Sequence, residues 1–378
     1  MPLRSRLFLA GAAALYVPWL FLGYGADSDI WSLLHAGRAL LTEGTYVGSR
    51  NPGYLIPEVG LGLLDLLGGS VLSNTGTLAM GLVAVGSFLT ITDRLAIPHR
   101  FLLATGLVLH PVFWTNATSS MDHVWALGFL LSGWLALLDR RWLLAGLLLG
   151  CAVGSRLTLV IAVAAVLGYA VLTDAARRDA VRAGLVAGVL GAACYLPPAA
   201  YAGWTMAFLQ PGGLGGPELW TWPMRLGRWG YKSLYLWGLP TAALLAGFVA
   251  YGLRKRPHPR TALLGLCAFV VIAYEALFLR FPLDVGYLLP IVPFVLIALG
   301  LVLARHRPWL TAFVVLLGLY NVVTINVARP DRPFEASGAS FGLWVEPGPL
   351  IEHTRLRLLT RDCEDSACWQ ERMGRTEP

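Results

Sequence analysis

Residues 55–73, LIPEVGLGLLDLLGGSVLS, are apolar enough to cross a membrane, and whether they do so decides on which side every later loop lies. A hydrocarbon core of about 30 Å asks for about 20 apolar helical residues per crossing. By that measure the remaining spans are expected near 7–25, 76–93, 101–118, 122–139, 142–155, 157–173, 183–203, 233–252, 261–279, 287–304 and 309–327. If 55–73 does not cross, alternate connections carry Arg94 and Arg100, Arg140 and Arg141, the trio Arg177, Arg178 and Arg182, the set Arg254, Lys255, Arg256 and Arg260, and finally Arg305 and Arg307. All then share the side of Arg4 and Arg6, as the excess of Lys and Arg in cytoplasmic loops requires. Were 55–73 to cross, every cluster would face away from the N-terminus. The segment is therefore expected to dip into the outer leaflet and return, which Pro57, Glu58, Asp65 and the pair Gly68-Gly69 suit better than an unbroken helix.

The composition agrees. Of 378 residues, 56% are hydrophobic and 13% charged, with a mean hydropathy of +0.63, whereas soluble domains carry about a quarter of their residues as charges. The net charge of +7 is nearly all arginine and sits in short clusters between apolar runs. That leaves no extended basic surface and excludes a nucleic-acid partner. The fold expected is an all-α polytopic membrane protein of about 11 transmembrane helices with its N-terminus inside. Residues 1–327 form the transmembrane module, in which 26–75 are a first outer loop with an interfacial helix and the re-entrant segment, and 328–378 form a short outer tail with little core of its own. Cys151, Cys194 and Cys267 read as small buried hydrophobes. Cys363 and Cys368 can pair if the tail faces an oxidising compartment.

This parity places the unusual polar groups on the outer side. Gly25-Ala26-Asp27-Ser28-Asp29-Ile30-Trp31 opens an amphipathic stretch to Glu43, with Ile30, Leu33, Leu34, Leu40 and Leu41 at helical spacing, lying in the interface plane. Trp31, His35 and Arg38 share a flank of it and can project toward whatever Asp27 and Asp29 face. The plainer alternative is that Asp27 or Ser28 only caps the helix. Tyr46-Val47-Gly48-Ser49-Arg50-Asn51-Pro52-Gly53-Tyr54 is rich in turn residues, and Arg50 offers a planar fork suited to phosphate. Asp122-His123 can bind an ion or a sugar hydroxyl, or Asp122 can simply favour a helix N-terminus. Arg156 and Glu275 are charges at membrane depth and functional candidates on that ground. Arg280 lies where the ninth span meets the tenth, so that Arg50, Arg156 and Arg280 together can hold a phosphate. Trp204, Trp220, Trp222, Trp229 and Trp237 read first as an interfacial aromatic belt and second as sugar-stacking surfaces. His110 and His353 lack partners at metal-ligand spacing and read as incidental.

In this order the motifs resemble those of the GT-C superfamily of membrane glycosyltransferases. The carriers are Asp27-Ser28-Asp29, the helix from Asp29 to Glu43, Ser49-Arg50-Asn51-Pro52-Gly53-Tyr54, His110-Pro111 leading to Asp122, Leu144-Ala145-Gly146-Leu147-Leu148-Leu149-Gly150 leading to Arg156, and Leu279-Arg280 followed by Tyr287-Leu288-Leu289-Pro290. The resemblance covers roughly residues 5–304. It departs from the family pattern at Pro57, which is displaced, and at Arg280, which is separated from Tyr287. It implies a GT-C-like fold with an amphipathic juxtamembrane helix. The implied activity is that of an inverting hexosyl- or pentosyltransferase, moving a sugar from a polyprenyl-phosphate carrier to a lipid, glycan or protein acceptor hydroxyl. The site would face outward from a bacterial or archaeal cytoplasmic membrane, in cell-envelope glycan synthesis. Asp27 or Asp29 would be the catalytic carboxylate, and His35, Arg38, Arg50, Tyr54, Asp122, His123, Arg156, Glu275 and Arg280 would bind substrate. The D-x-D spacing leaves room for Mg2+ or Mn2+ on Asp27, Asp29 and Asp122, since some members of the superfamily use a metal and others do not. Two rival readings remain: a lipid or glycan flippase or transporter, and a non-catalytic GT-C-like assembly subunit.

Overall fold

The computed structural model describes residues 2–173, 177–203, 221–254, 260–330 and 339–374. Trp204, Trp220, Lys255 and Arg256 lie outside the described residues. The first helix, α1 (Leu3–Tyr16), passes into a 3-10 turn at Val17–Phe21. Then come α2 (Ser28–Glu43) and α3 (Leu55–Arg94). Asp27 caps α2, accepting from the Asp29 backbone N–H at 2.9 Å, and Gly44 at φ +68° ends it. The buried face of α2 includes Ile30, Leu33 and Leu34 of the expected apolar stripe, together with Gly37, whereas Leu40 is half-buried and Leu41 exposed.

Segment 55–73 takes a form of its own. Its first part is helical and folds back against the next helix through a break at Gly68 and Gly69, the latter at φ +60°, a conformation that only glycine adopts without strain, so that a Cβ on Gly76 would meet the Leu64 side chain and Gly60 and Gly76 both face Trp125. The two limbs form the 40-residue α3. Its first limb crosses α2 with the backbones in contact: a Cβ on Gly62 would lie 2.6 Å from the Gly37 Cα. Small residues at such crossings let membrane helices approach closely.

The chain continues through α4 (Arg100–Val108), α5 (Pro111–Ala117), α6 (His123–Leu138), α7 (Trp142–Ser155), α8 (Val160–Leu172), α9 (Arg177–Cys194) and α10 (Leu196–Ala202). Next are α11 (Trp222–Trp237), α12 (Leu239–Arg254), α13 (Thr261–Arg280), α14 (Ile291–Val302) and α15 (Arg307–Tyr320). Gly146, Gly150 and Gly154, one helical turn apart on α7, face Val186, Leu190 and Cys194 of α9, so the Gly-rich motif read from the sequence is a packing seam. Trp134 of α6 stacks on Phe294 of α14 at 5.4 Å at the centre of the bundle.

Among the described residues, three helical stretches are long and apolar enough to cross a membrane: Leu55–Arg94, Arg177–Ala202 and Thr261–Arg280. The pair α11 and α12, bent by 93°, makes a fourth if it is one span. Several expected spans are shorter apolar helices, and prolines interrupt two other expected spans. The stretch 101–118 is split at His110, with Pro111 opening α5, and Pro18 lies in the 3-10 turn that follows α1.

The chain after α15 carries further secondary structure. It contains a two-stranded antiparallel hairpin, β1 (Val323–Pro330) and β2 (Ala339–Pro347), and two helices, α16 (Pro349–Leu359) and α17 (Ser366–Gly374). Cys363 and Cys368 form a disulfide. Arg357, fully buried, donates to the carbonyls of Leu22 (3.2 Å), Gly23 (2.8 Å) and Thr118 (2.8 Å). The Trp19 Nε1–H donates to Thr354 at 2.8 Å. A tail too polar to build its own core is held by hydrogen bonds to buried loop carbonyls.

Candidate active site

The loop after α2 is organised by a carboxylate that the sequence reading passed over. Glu58, fully buried in the first turn of α3, accepts from the Tyr46 hydroxyl (2.9 Å), the Ser49 backbone N–H (3.1 Å) and hydroxyl, and the Tyr54 backbone N–H (3.1 Å). Its available signal was an acid following proline at a helix start, where orphan N–H groups point. This folds residues 46–54 into a turn that carries Arg50 back toward α2 and α6.

Arg50 there bridges two carboxylates. Its Nη1 pairs with Asp29, and its Nη2 lies 3.0 Å from Asp122 Oδ2. Arg156, at the end of α7, grips the same Asp122 at 2.8 and 2.9 Å. Asp122 has no solvent exposure, and a buried carboxylate is tolerable only with such pairing. The Tyr54 ring lies 5.1 Å from the Arg50 guanidinium and 5.4 Å from that of Arg156, and the Tyr287 ring lies 4.5 Å from Arg156. After these contacts Arg50 Nε and Arg156 Nη2 remain buried with no hydrogen-bond partner. Such orphan donors are rare in native structures and call for an explanation.

His123 connects this cluster to a second one. Its Nε2 is 3.0 Å from Arg156 Nη1 and 3.4 Å from Asp284 Oδ2. A ring bare at Nε2 accepts from the arginine, whereas a ring protonated there donates to Asp284. Asp284 and Asp27 both line an open cleft of about 380 Å3, together with Ser28, Tyr235 and residues of the tail. Burial first, then the charges of Asp284 and Asp29, push the Asp27 carboxyl up to about 7. Lys232 of α11, donating to the Leu283 carbonyl, is near enough to act electrostatically on both acids.

A buried polar latch holds the two acidic loops in place. Asn74 Nδ2 donates to the carbonyls of Leu20 (3.0 Å) and Gly23 (2.8 Å), and Ser120 Oγ donates to Asn74 Oδ1 at 2.9 Å. The Ser120 N–H donates to the Tyr24 carbonyl at 2.9 Å. With Arg357 this joins the stretch before Asp27 to the turn before Asp122.

Of the residues named from the sequence, Asp29, Arg50, Tyr54, Asp122, His123 and Arg156 thus come together, and Asp27 stands at the adjoining cleft. Four do not join them. Arg280 is exposed at the end of α13 and lies over the Phe281 ring at 5.6 Å. The turn that follows presents Asp284 instead. Glu275 accepts from Trp229 Nε1 (2.8 Å) and Ser233 (2.9 Å) on α11, as part of a helix contact. Arg38 pairs with Asp65, which also accepts from the Tyr24 hydroxyl at 2.7 Å, and His35 is exposed. The shared flank of Trp31, His35 and Arg38 fans out because α3 covers only part of it. His353, read as incidental, lines the cleft. For a metal, Asp29 and Asp122 already have their charge met by arginine, and among the described residues no group of three or more His, Cys, Asp or Glu could hold an ion. The three aspartates do not fit a common cation.

No family model matches the chain, and no curated protein matches it. Among solved structures, ArnT from Cupriavidus metallidurans bound to undecaprenyl phosphate is similar, with a TM-score of 0.59 and 16% identity over 83% of this chain. The same protein in the apo state gives 0.57 and 16% over 80%. The chain spans about three fifths of the length of these neighbours. The fold of this chain is that of the ArnT structures over four fifths of its length.

Proposed function

We propose that this chain is an inverting glycosyltransferase that moves a sugar from a polyprenyl-phosphate carrier to an acceptor hydroxyl at the outer face of a bacterial or archaeal cytoplasmic membrane. The observation that carries the reading is the pair of unpartnered guanidinium donors, Arg50 Nε and Arg156 Nη2, beside a cleft that holds Asp27. Asp122 and Asp29 fix the two forks, and the free N–H groups suit the oxygens of a lipid phosphate. The similar ArnT structure contains undecaprenyl phosphate, which agrees with such a donor.

In the proposed step the acceptor oxygen attacks the anomeric carbon as its proton passes to Asp27. The bond from that carbon to the phosphate oxygen breaks, and its electron pair leaves with the polyprenyl phosphate. Arginine donors oriented in advance in a partly dry site stabilise the leaving charge without a general acid. Asp29, engaged by Arg50, positions that arginine and leaves Asp27 as the base. A flippase would need its charges near the membrane midplane between matched broken helices, whereas the acids and arginines here gather where loops meet.

Transfer from a labelled polyprenyl-phosphate sugar to native membranes, with Asp27→Asn, Asp29→Asn and the double variant, tests the assignment. Asp27→Asn should lower turnover by about 10²–10⁴-fold, as expected for a lost general base. Unchanged turnover in all three variants would falsify the catalytic role. Movement of the intact labelled lipid across a vesicle membrane, without transfer, would favour the flippase.

A further inference from the structure

The cleft at Asp27 has a second wall that the phosphate-holding cluster does not use. Glu352 and His353 of α16, and Trp369 and Met373 of α17, line it together with Asp27 and Asp284. Two atoms of this wall are buried without a partner: Trp369 Nε1 and His353 Nε2. Burial, with the Arg357 charge adding to it, lowers His353 to about 3, so the imidazole is neutral. Trp369 also packs beside Ile30 and Trp31 of α2, the helix whose cap is Asp27. The disulfide ties Cys363 to Cys368, the residue before Trp369. The wall is therefore in contact with the helix that Asp27 caps.

We infer that this wall is the acceptor subsite and that the acceptor is a neutral or amino-bearing saccharide, an inference that rests on the glycosyltransferase reading. A sugar ring offers a C–H face to the indole and hydroxyls that can both donate and accept, so it satisfies an N–H and a neutral imidazole at once. An acyl chain would leave both orphan nitrogens unpaired in a desolvated site, which is costly. Asp27, Asp284 and Glu352 line the same cleft and disfavour an anionic acceptor. The wall thus sets which hydroxyl reaches Asp27.

Saturation-transfer NMR on the full chain in nanodiscs, with methyl glycosides of glucose, galactose, mannose and glucosamine as probes, tests this. At least one glycoside should receive saturation, and that signal should fall at least about fivefold in both Trp369→Phe, which keeps the ring and removes the N–H, and His353→Gln. It should persist when undecaprenyl phosphate or an undecaprenyl-phosphate hexose is bound. No signal with any glycoside, equal signals in both variants, displacement by the undecaprenyl-phosphate hexose, or a response to short peptides alone would each overturn the inference. Binding of undecaprenyl phosphate, read separately by native mass spectrometry, distinguishes the two claims. Its failure, with glycoside binding intact, would sink the donor reading and leave the sugar wall standing.

Discussion

Asp27 is the residue on which pH acts. Its carboxyl is pushed up to about 7 by burial and by the neighbouring acids Asp284 and Asp29. A carboxyl raised in the fold binds its proton more tightly there than in the unfolded chain, so its contribution to stability declines as pH rises from about 4 through 7. As the proposed base it must be deprotonated, and kcat/KM should therefore rise with pH to a plateau, with a midpoint near 7. Asp284→Asn removes one raising charge and should move that midpoint to lower pH. A midpoint unchanged in this variant would disconnect Asp284 from the base. The cluster of Asp29, Arg50, Asp122 and Arg156 was legible at this scale, because a charge among apolar residues must find a partner and opposite charges on the same side of a membrane are the ones available. The choice of Arg280 over Asp284 was not. Both sit in one short stretch, and only the path of the turn after α13 decides which side chain reaches the cleft.

At the scale of elements, the crossing of α2 over α3 places Asp27 and Asp29. The two helices touch through Gly37 and Gly62, and a Cβ on Gly62 meets main chain, which cannot yield as a side-chain tip does. Gly62→Ala should cost about 1–3 kcal/mol of stability, as overpacking generally does, and should weaken undecaprenyl-phosphate binding by displacing the helix that bears Asp29. Gly227→Ala on α11, in open space, is the control and should not destabilise, the helix preference for alanine being worth up to about 1 kcal/mol. Unfolding midpoints in detergent check both, and equal midpoints would mean that the crossing relaxes freely. The amphipathic α2 was evident from its apolar spacing. The form of 55–73 was only partly evident. Its Gly-Gly pair marked a break, but whether the chain reverses or continues beyond a break depends on what packs against each limb, here α2 on the first.

For the whole molecule, the placement of loops rests on the arginine bias, and it can be measured directly. Glu43→Cys at the end of α2 and Arg178→Cys at the start of α9 are both exposed positions. In intact cells a membrane-impermeant thiol reagent should label the former and spare the latter, and the reverse pattern would place the site on the cytoplasmic side. The disulfide at Cys363 and Cys368 is of a kind that persists in oxidising compartments. The tail, by contrast, changes its standing once the molecule is seen entire: Arg357 reaches the carbonyls of Leu22, Gly23 and Thr118, more than two hundred residues away in the chain, and so joins both acidic loops to the wall of the cleft. Sequence alone determined that this is a helical membrane protein and where its charges gather, because hydropathy and charge act on each segment locally. Tertiary structure alone decided the partners: which arginine donors stay unpaired, which acid lies beside Asp27, and that the tail builds part of the cleft. Those outcomes follow from buried contacts between distant segments, and no local pattern encodes them.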